Sequence, residues 1–201
     1  FPIKSISGRV LGFGGRITSS NKNIAKYINS PESKIYNKSK SLYGIYESKQ
    51  FIVKDDLCLL VEGYMDVIQL HENNIKNVVA SSGTSLTKDQ IILIKRLTSN
   101  IVVLFDGDQA GLSASLRSID LILEEGLNVK ICSFPQGDDP DSFVRKNKRD
   151  KMLKFIKNES KDFIDFKLVI NKDYEDDEDT KVNLIKNILK SISLIPDSLK
   201  Q

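Results

Sequence analysis

With 201 residues, 40% of them hydrophobic, the chain can bury one sizeable core or two small ones, and it is too apolar for wholesale disorder. No apolar run is long enough to span a bilayer and no signal-peptide pattern opens the chain, so no membrane partner is expected. The net charge of +3 hides an asymmetry: residues 1–54 carry ten Lys and Arg against two Asp and Glu, residues 55–150 ten against fifteen, and residues 151–201 ten against ten. A basic first quarter beside an acidic centre suits a polyanion next to a cation site, while a plain solvated lysine-rich surface remains the blander reading.

In chain order, residues 1–54 read as irregular and strand-rich. The glycines of GRVLGFGGR (Gly8 to Arg16) lack dinucleotide-binding spacing and are expected in hairpins or tight turns. LCLLVEG (Leu57 to Gly63) is a short continuous apolar run, the signature of a strand covered on both faces. A helix near 64–73 follows, then NVVA (Asn77 to Ala80) as a second strand. Thr87 with Gln90 matches a capping box opening a helix that carries Ile91 and Ile94. IVVLF (Ile101 to Phe105) is a third buried strand. A helix near 109–125 carries Leu112, Leu116, Ile119 and Leu123 on one face, with Gly126 as its stop. VKICSF (Val129 to Phe134) makes a fourth strand. Helices are expected over 141–148, 151–171 and 181–193, with the acidic YEDDEDT (Tyr174 to Thr180) as a solvated loop. Strands alternating with helices predict an α/β fold, a mainly parallel sheet with helices on both sides.

Cys58 and Cys132 lack C-x-x-C spacing and His71 is the sole histidine, so zinc is not expected; buried thiols in a reducing cytoplasm are. Parallel sheets collect ligands at the carboxyl ends of their strands. The acids follow that rule: Glu62 ends the first strand, with Asp66 one turn into the next helix. Asp106 and Asp108 end the third strand, and Asp138, Asp139 and Asp141 follow the fourth. Alone, each cluster is an ordinary turn or helix entrance. Three together, each after a buried strand, point to a cation that offsets their repulsion. All-oxygen ligands suit Mg²⁺ or Mn²⁺.

VEGYMD, VVLFDGDQAG and GDDPDSFVR resemble the three acidic motifs of the Toprim domain, shared by primases, topoisomerases and some nucleases. FPI, GRVLGFGGR, KYINSPES and IYNKSKSLYGIYE are similar to the N-terminal subdomain of bacterial DnaG-type primases. The resemblance covers residues 1 to about 150 and extends more weakly through the helical tail. It implies a Toprim-type sheet, a mixed α+β basic N-terminal subdomain and a C-terminal helical segment, divided at 1–55, 56–138 and 139–201. The implied activity is synthesis of short RNA primers from ribonucleoside triphosphates on single-stranded DNA, at the replication fork. Glu62, Asp106 and Asp108 would be catalytic metal ligands, Asp139 and Asp141 would complete the site, and Asp66 would sit in outer contact. Arg16, Lys26, Asn29 and Lys38 would line the cleft for triphosphate and template. A replicative helicase would dock through a module absent from this chain. Two rivals remain: a topoisomerase or nuclease using one of six tyrosines, of which Tyr43 and Tyr46 read as packing residues, and a non-catalytic metal-supported DNA-binding scaffold.

Overall fold

A computed structural model describes residues 1–17, 27–83, 85–106, 109–170 and 178–196. Its centre is a five-stranded sheet in the order β5-β4-β6-β7-β8. Strands β4 (Cys58–Val61), β5 (Val78–Ala80), β6 (Asn100–Phe105) and β7 (Asn128–Ser133) are parallel, and the two-residue β8 (Lys161–Asp162) closes one edge antiparallel to β7. The opposite edge, β5, is capped by Tyr43, whose backbone exchanges two hydrogen bonds with Ala80 at 2.9 and 3.0 Å.

Successive strand residues point to opposite faces, and the apolar runs serve two cores at once. Cys58, Leu60, Ile101, Val103, Val129 and Ile131 face one layer, while Leu59, Val61, Val102, Leu104, Cys132 and Phe134 face the other. The first layer is built by α1 (Ile45–Asp55), α3 (Lys88–Lys95), α4 (Gln109–Glu124) and α6 (Phe163–Ile170). The second is built by α2 (Tyr64–Glu72) and α5 (Pro140–Glu159). Helix α7 (Glu178–Ser193) joins the first layer through a buried polar contact. Lys167 of α6, 6% exposed, pairs with Asp120 of α4 at 3.3 Å, and Ser191 of α7 bonds both. No helix among the described residues is long and apolar enough to cross a membrane.

The amino-terminal part forms a separate antiparallel ribbon, β1 (Pro2–Lys4), β2 (Val10–Arg16) and β3 (Tyr27–Asn29). Its glycines fall in the β1–β2 hairpin and its turn, as the sequence reading expected. Gly8 sits in a turn at φ 92°, and Gly12 and Gly14 lie inside β2 with their Cα atoms against the rings of Tyr36 and Tyr64. Ile3, Tyr36 and Tyr64 form the small core beneath the ribbon, and Phe1 stacks on Tyr64 with ring centres 5.1 Å apart.

Two expectations are corrected. Residues 45–55 are helical, not irregular; Ile45, Ser48 and Ile52 make its buried stripe. The helix expected over 151–171 is interrupted, because Ser160 leaves helical geometry and residues 161–162 pair with β7. The expected break near 148 is present: Lys148 has φ 63° inside α5. Of the acidic stretch, 174–177 lies outside the described residues and Glu178 opens α7.

Candidate active site

Loops leave β4, β5, β6 and β7 at one rim of the sheet. Glu62 follows β4 and Asp106 follows β6, while Asp138, Asp139 and Asp141 stand at the entrance to α5. Asp66, in the first turn of α2, ties two of these loops together. One of its carboxylate oxygens accepts from the Gly63 amide at 3.0 Å and the other from the Asp141 amide at 3.3 Å. It is only 8% exposed. Burial above all, joined by the negative charges of Asp106 and Asp139, pushes its carboxyl up to about 7 against the pull of those amides. The three carboxylates therefore share one neighbourhood.

The α5 acids also have local partners. Asp139 caps the helix by accepting from the Ser142 amide at 2.6 Å, and Asp141 is ion-paired with Arg145. Asp138 meets Lys146 at 2.5 Å, which holds its carboxyl below the ordinary range. Among the described residues no three such side chains already enclose a metal-sized point. Asp108 and Lys26 lie outside the described residues. What the rim offers is hard oxygen donors whose negative charges add to the effect of burial on Asp66, the chemistry that a divalent cation satisfies. Glu62, Asp106, Asp139 and Asp141 are the acids of this rim that could hold one.

Beside the acids lies a cleft of about 640 Å³ whose walls include Asn29, Lys38, Glu62, Tyr64, Ser82 and Arg117. A clasp closes one end of it. The Tyr64 hydroxyl donates to Asn29 Oδ1 at 2.5 Å, Asn29 Nδ2 donates to the Ser82 carbonyl at 3.3 Å, and the Ser82 amide donates to the Glu62 carbonyl at 3.0 Å. Both ends of the Asn29 amide thus brace the ribbon against the β4 and β5 loops. Ser82 sits at φ 58°, the left-handed region that a serine rarely adopts outside constrained sites. Lys38 belongs to a 3₁₀ turn, Lys38–Lys40, whose backbone is pinned: its amide donates to Glu32 at 2.9 Å and its carbonyl accepts from Gln90 at 3.1 Å. Arg16 lies over the ring of Tyr27, 5.7 Å from its centre, at the cleft margin.

Of the residues singled out in the sequence, the structure gathers Glu62, Asp66, Asp106, Asp139 and Asp141 at one rim of the sheet and sets Lys38 in the neighbouring cleft. Sequence reading missed the roles of Tyr64 and Ser82, because a clasp between two subdomains leaves no local spacing signal. It also passed over Arg117, one cation in an amphipathic helix. Tyr43 packs, meeting Tyr64 edge-on at 4.7 Å, whereas Tyr46 is 39% exposed and has Lys49 4.5 Å above its ring.

Comparison with known proteins gives the arrangement a family. The Toprim-like family matches residues 59–144, and the N-terminal domain of the DNA primase catalytic core matches residues 1–49. The DNA primase of Clostridium acetobutylicum is 43% identical over 199 residues, covering 96% of this chain and 32% of that protein. That of Staphylococcus aureus is 40% identical over 202 residues, 100% of this chain and 33% of its own. This chain thus spans about a third of the length of the curated relatives it matches. Among solved structures, a DNA primase domain from Pseudomonas aeruginosa superposes with a TM-score of 0.89 at 34% identity, covering 99% of this chain and 63% of that one. A DnaG primase catalytic domain bound to single-stranded DNA gives 0.87 at 34% identity, covering 100% and 66%. With acids at the strand tips, a basic ribbon alongside and both primase-family segments matched in order, the chain belongs to the DnaG-type DNA primases.

Proposed function

We propose that this chain is the catalytic part of an enzyme that synthesises short RNA primers on single-stranded DNA by metal-dependent nucleotidyl transfer. The observation that carries this reading is the gathering of Asp66, Asp106 and Asp139 at one strand-end rim, beside a cleft bearing Lys38 and Glu62. The relatives named DNA primase support it, as does the likeness to a primase domain bound to single-stranded DNA. Residues 1–55 serve as the basic subdomain, 56–138 as the Toprim catalytic domain, and 139–201 as its tail and the start of a helical unit. Ribonucleoside triphosphates are the substrates, and a replicative helicase is the partner at a cytoplasmic fork, recruited through a module beyond this chain.

Joining a 3′-hydroxyl to an α-phosphate piles negative charge onto phosphoryl oxygens, so positioning and electrostatics supply most of the catalysis. Glu62, Asp106, Asp108, Asp139 and Asp141 would hold Mg²⁺ or Mn²⁺; when bound, the ion neutralises phosphate charge and favours the ionised 3′-hydroxyl. Asp66 fixes the spacing of the Glu62 and Asp141 loops through the Gly63 and Asp141 amides. Lys38 contributes fixed positive charge at the cleft wall, Arg16 adds to it at the margin, and Lys26 is assigned with them to triphosphate and template. Tyr64, at the wall of the cleft, has its hydroxyl engaged by Asn29, and burial raises its pKa; both count against its serving as a nucleophile of the topoisomerase kind.

The test is incorporation of labelled ribonucleotides on a single-stranded template with Mg²⁺. Asp106→Asn is expected to abolish incorporation while the circular dichroism melt stays unchanged. Wild-type rates from Asp106→Asn, or template cleavage in place of synthesis, would overturn the proposal.

A further inference from the structure

Arg117 sits on α4, the next helix after β6 and Asp106, and it lines the cleft together with Ser118 and Leu121. These three positions share one side of the helix, while Ile119, Ile122 and Leu123 bury the other in the core. The helix is therefore anchored, and residue 117 is held at the cleft wall. Its side chain is exposed and makes no hydrogen bond or ion pair among the described residues. The other arginines near the rim are engaged: Arg145 by Asp141, and Arg16 over Tyr27. Lys38 lines the same cleft, its backbone clamped by Glu32 and Gln90 and its ammonium without an ion pair among the described residues.

Two cations at the walls of one cavity, neither ion-paired among the described residues, suit a multiply charged anion. A guanidinium presents a rigid fork of donors that matches phosphate oxygens, which a lysine ammonium meets only as a point charge. A volume of about 640 Å³ is the size of a nucleotide pocket. We propose that Arg117 binds the triphosphate of the incoming ribonucleotide, with Lys38 as its second cationic contact. The template backbone offers the same phosphate chemistry, but an extended strand would run along the open ribbon, whereas this cavity reaches inward to the sheet residues Leu60 and Val103. The proposal names the substrate contact of the site assigned above and rests on that reading.

The experiment compares wild type, Arg117→Ala and Arg117→Lys in steady-state ribonucleotide incorporation, in template binding by fluorescence anisotropy and in calorimetric titration with Mg·ATP. Loss of a charge-assisted contact should raise the KM for nucleotide by about tenfold or more in Arg117→Ala. Arg117→Lys should recover part of it, and the template Kd should stay within about twofold, since each rim cation contributes little to it. An unchanged KM, or a loss confined to template binding, would overturn the assignment. An inactive wild type would sink primer synthesis itself, and the ATP titration would then decide whether Arg117 binds triphosphate: weaker binding in Arg117→Ala sustains the contact, equal binding removes it.

Discussion

Gly14 has no room for a methyl group. A Cβ there would come within 2.6 Å of Tyr64 Cζ and 2.8 Å of its hydroxyl oxygen, whereas at the neighbouring Gly15 the nearest atom would be 3.8 Å away. Gly14→Ala must push Tyr64 aside and break its bond to Asn29, at a cost of about 1–3 kcal/mol by the usual scale of overpacking. Gly15→Ala should be nearly neutral, and chemical denaturation of the two variants measures the difference. Asp66 supports a pH prediction. Its folded carboxyl is raised from 3.8 to about 7, so the stability it contributes is complete below the lower value and is lost as pH climbs through the upper one. In chelator, the melting temperature of wild type should therefore fall between pH 5 and pH 8, and Asp66→Asn, which never ionises, should flatten that fall. An equally steep fall in Asp66→Asn would show that the titrating group lies elsewhere.

Among the elements, α3 is the one whose start was written plainly. Thr87 and Gln90 form the reciprocal cap that their spacing predicts, at 3.3 and 3.1 Å. The structure adds what spacing alone does not contain: Thr87 also donates to the Ser39 carbonyl at 2.5 Å, and Gln90 donates to the carbonyls of Lys38 and Ser41 at 3.1 and 2.8 Å. Gln90 is fully buried, so Gln90→Ala would strand two carbonyls and cost about 2–3 kcal/mol on denaturation, more than a cap alone. Because Lys38 loses its tether, the nucleotide KM should rise as well. The parallel strands were equally legible, since each is a short apolar run bounded by polar residues. Helix α1 was not, because Phe51 and the β-branched Ile52 and Val53 form a strand-like run and the buried stripe includes the polar Ser48. β8 was invisible for another reason: two residues, Lys161 and Asp162, pair with β7 through backbone alone. The acids of the site could be read from the chain because strand ends impose them locally; the Tyr64–Asn29–Ser82 clasp joins residues 35 and 53 positions apart and could not.

At the scale of the molecule, a buried charge ties the tail down beside the core contact of Ile195. Lys167 holds Asp120 and Ser191, so Lys167→Ala should cost about 3 kcal/mol, the lower end for a broken buried pair because Asp120 keeps partial access to water. Loosening of α7 would register first as faster proteolysis near residue 178. The surplus of lysine and arginine in residues 1–54 should make template binding release counterions, so that affinity drops steeply with added salt in anisotropy titrations. A flat salt response would mean that the ribbon does not carry the strand. The two sulfurs are the last consequence of the layered sheet. Cys58 faces one core and Cys132 the other, both fully enclosed, and burial lifts the first thiol above its usual range and the second to about 12. Neither can react with an alkylating reagent until its own side of the sandwich opens, so the chain carries a separate clock on each side. Equal labelling rates would mean that the halves breathe as one, and a faster Cys132 would mark the α2–α5 side as the one that yields first.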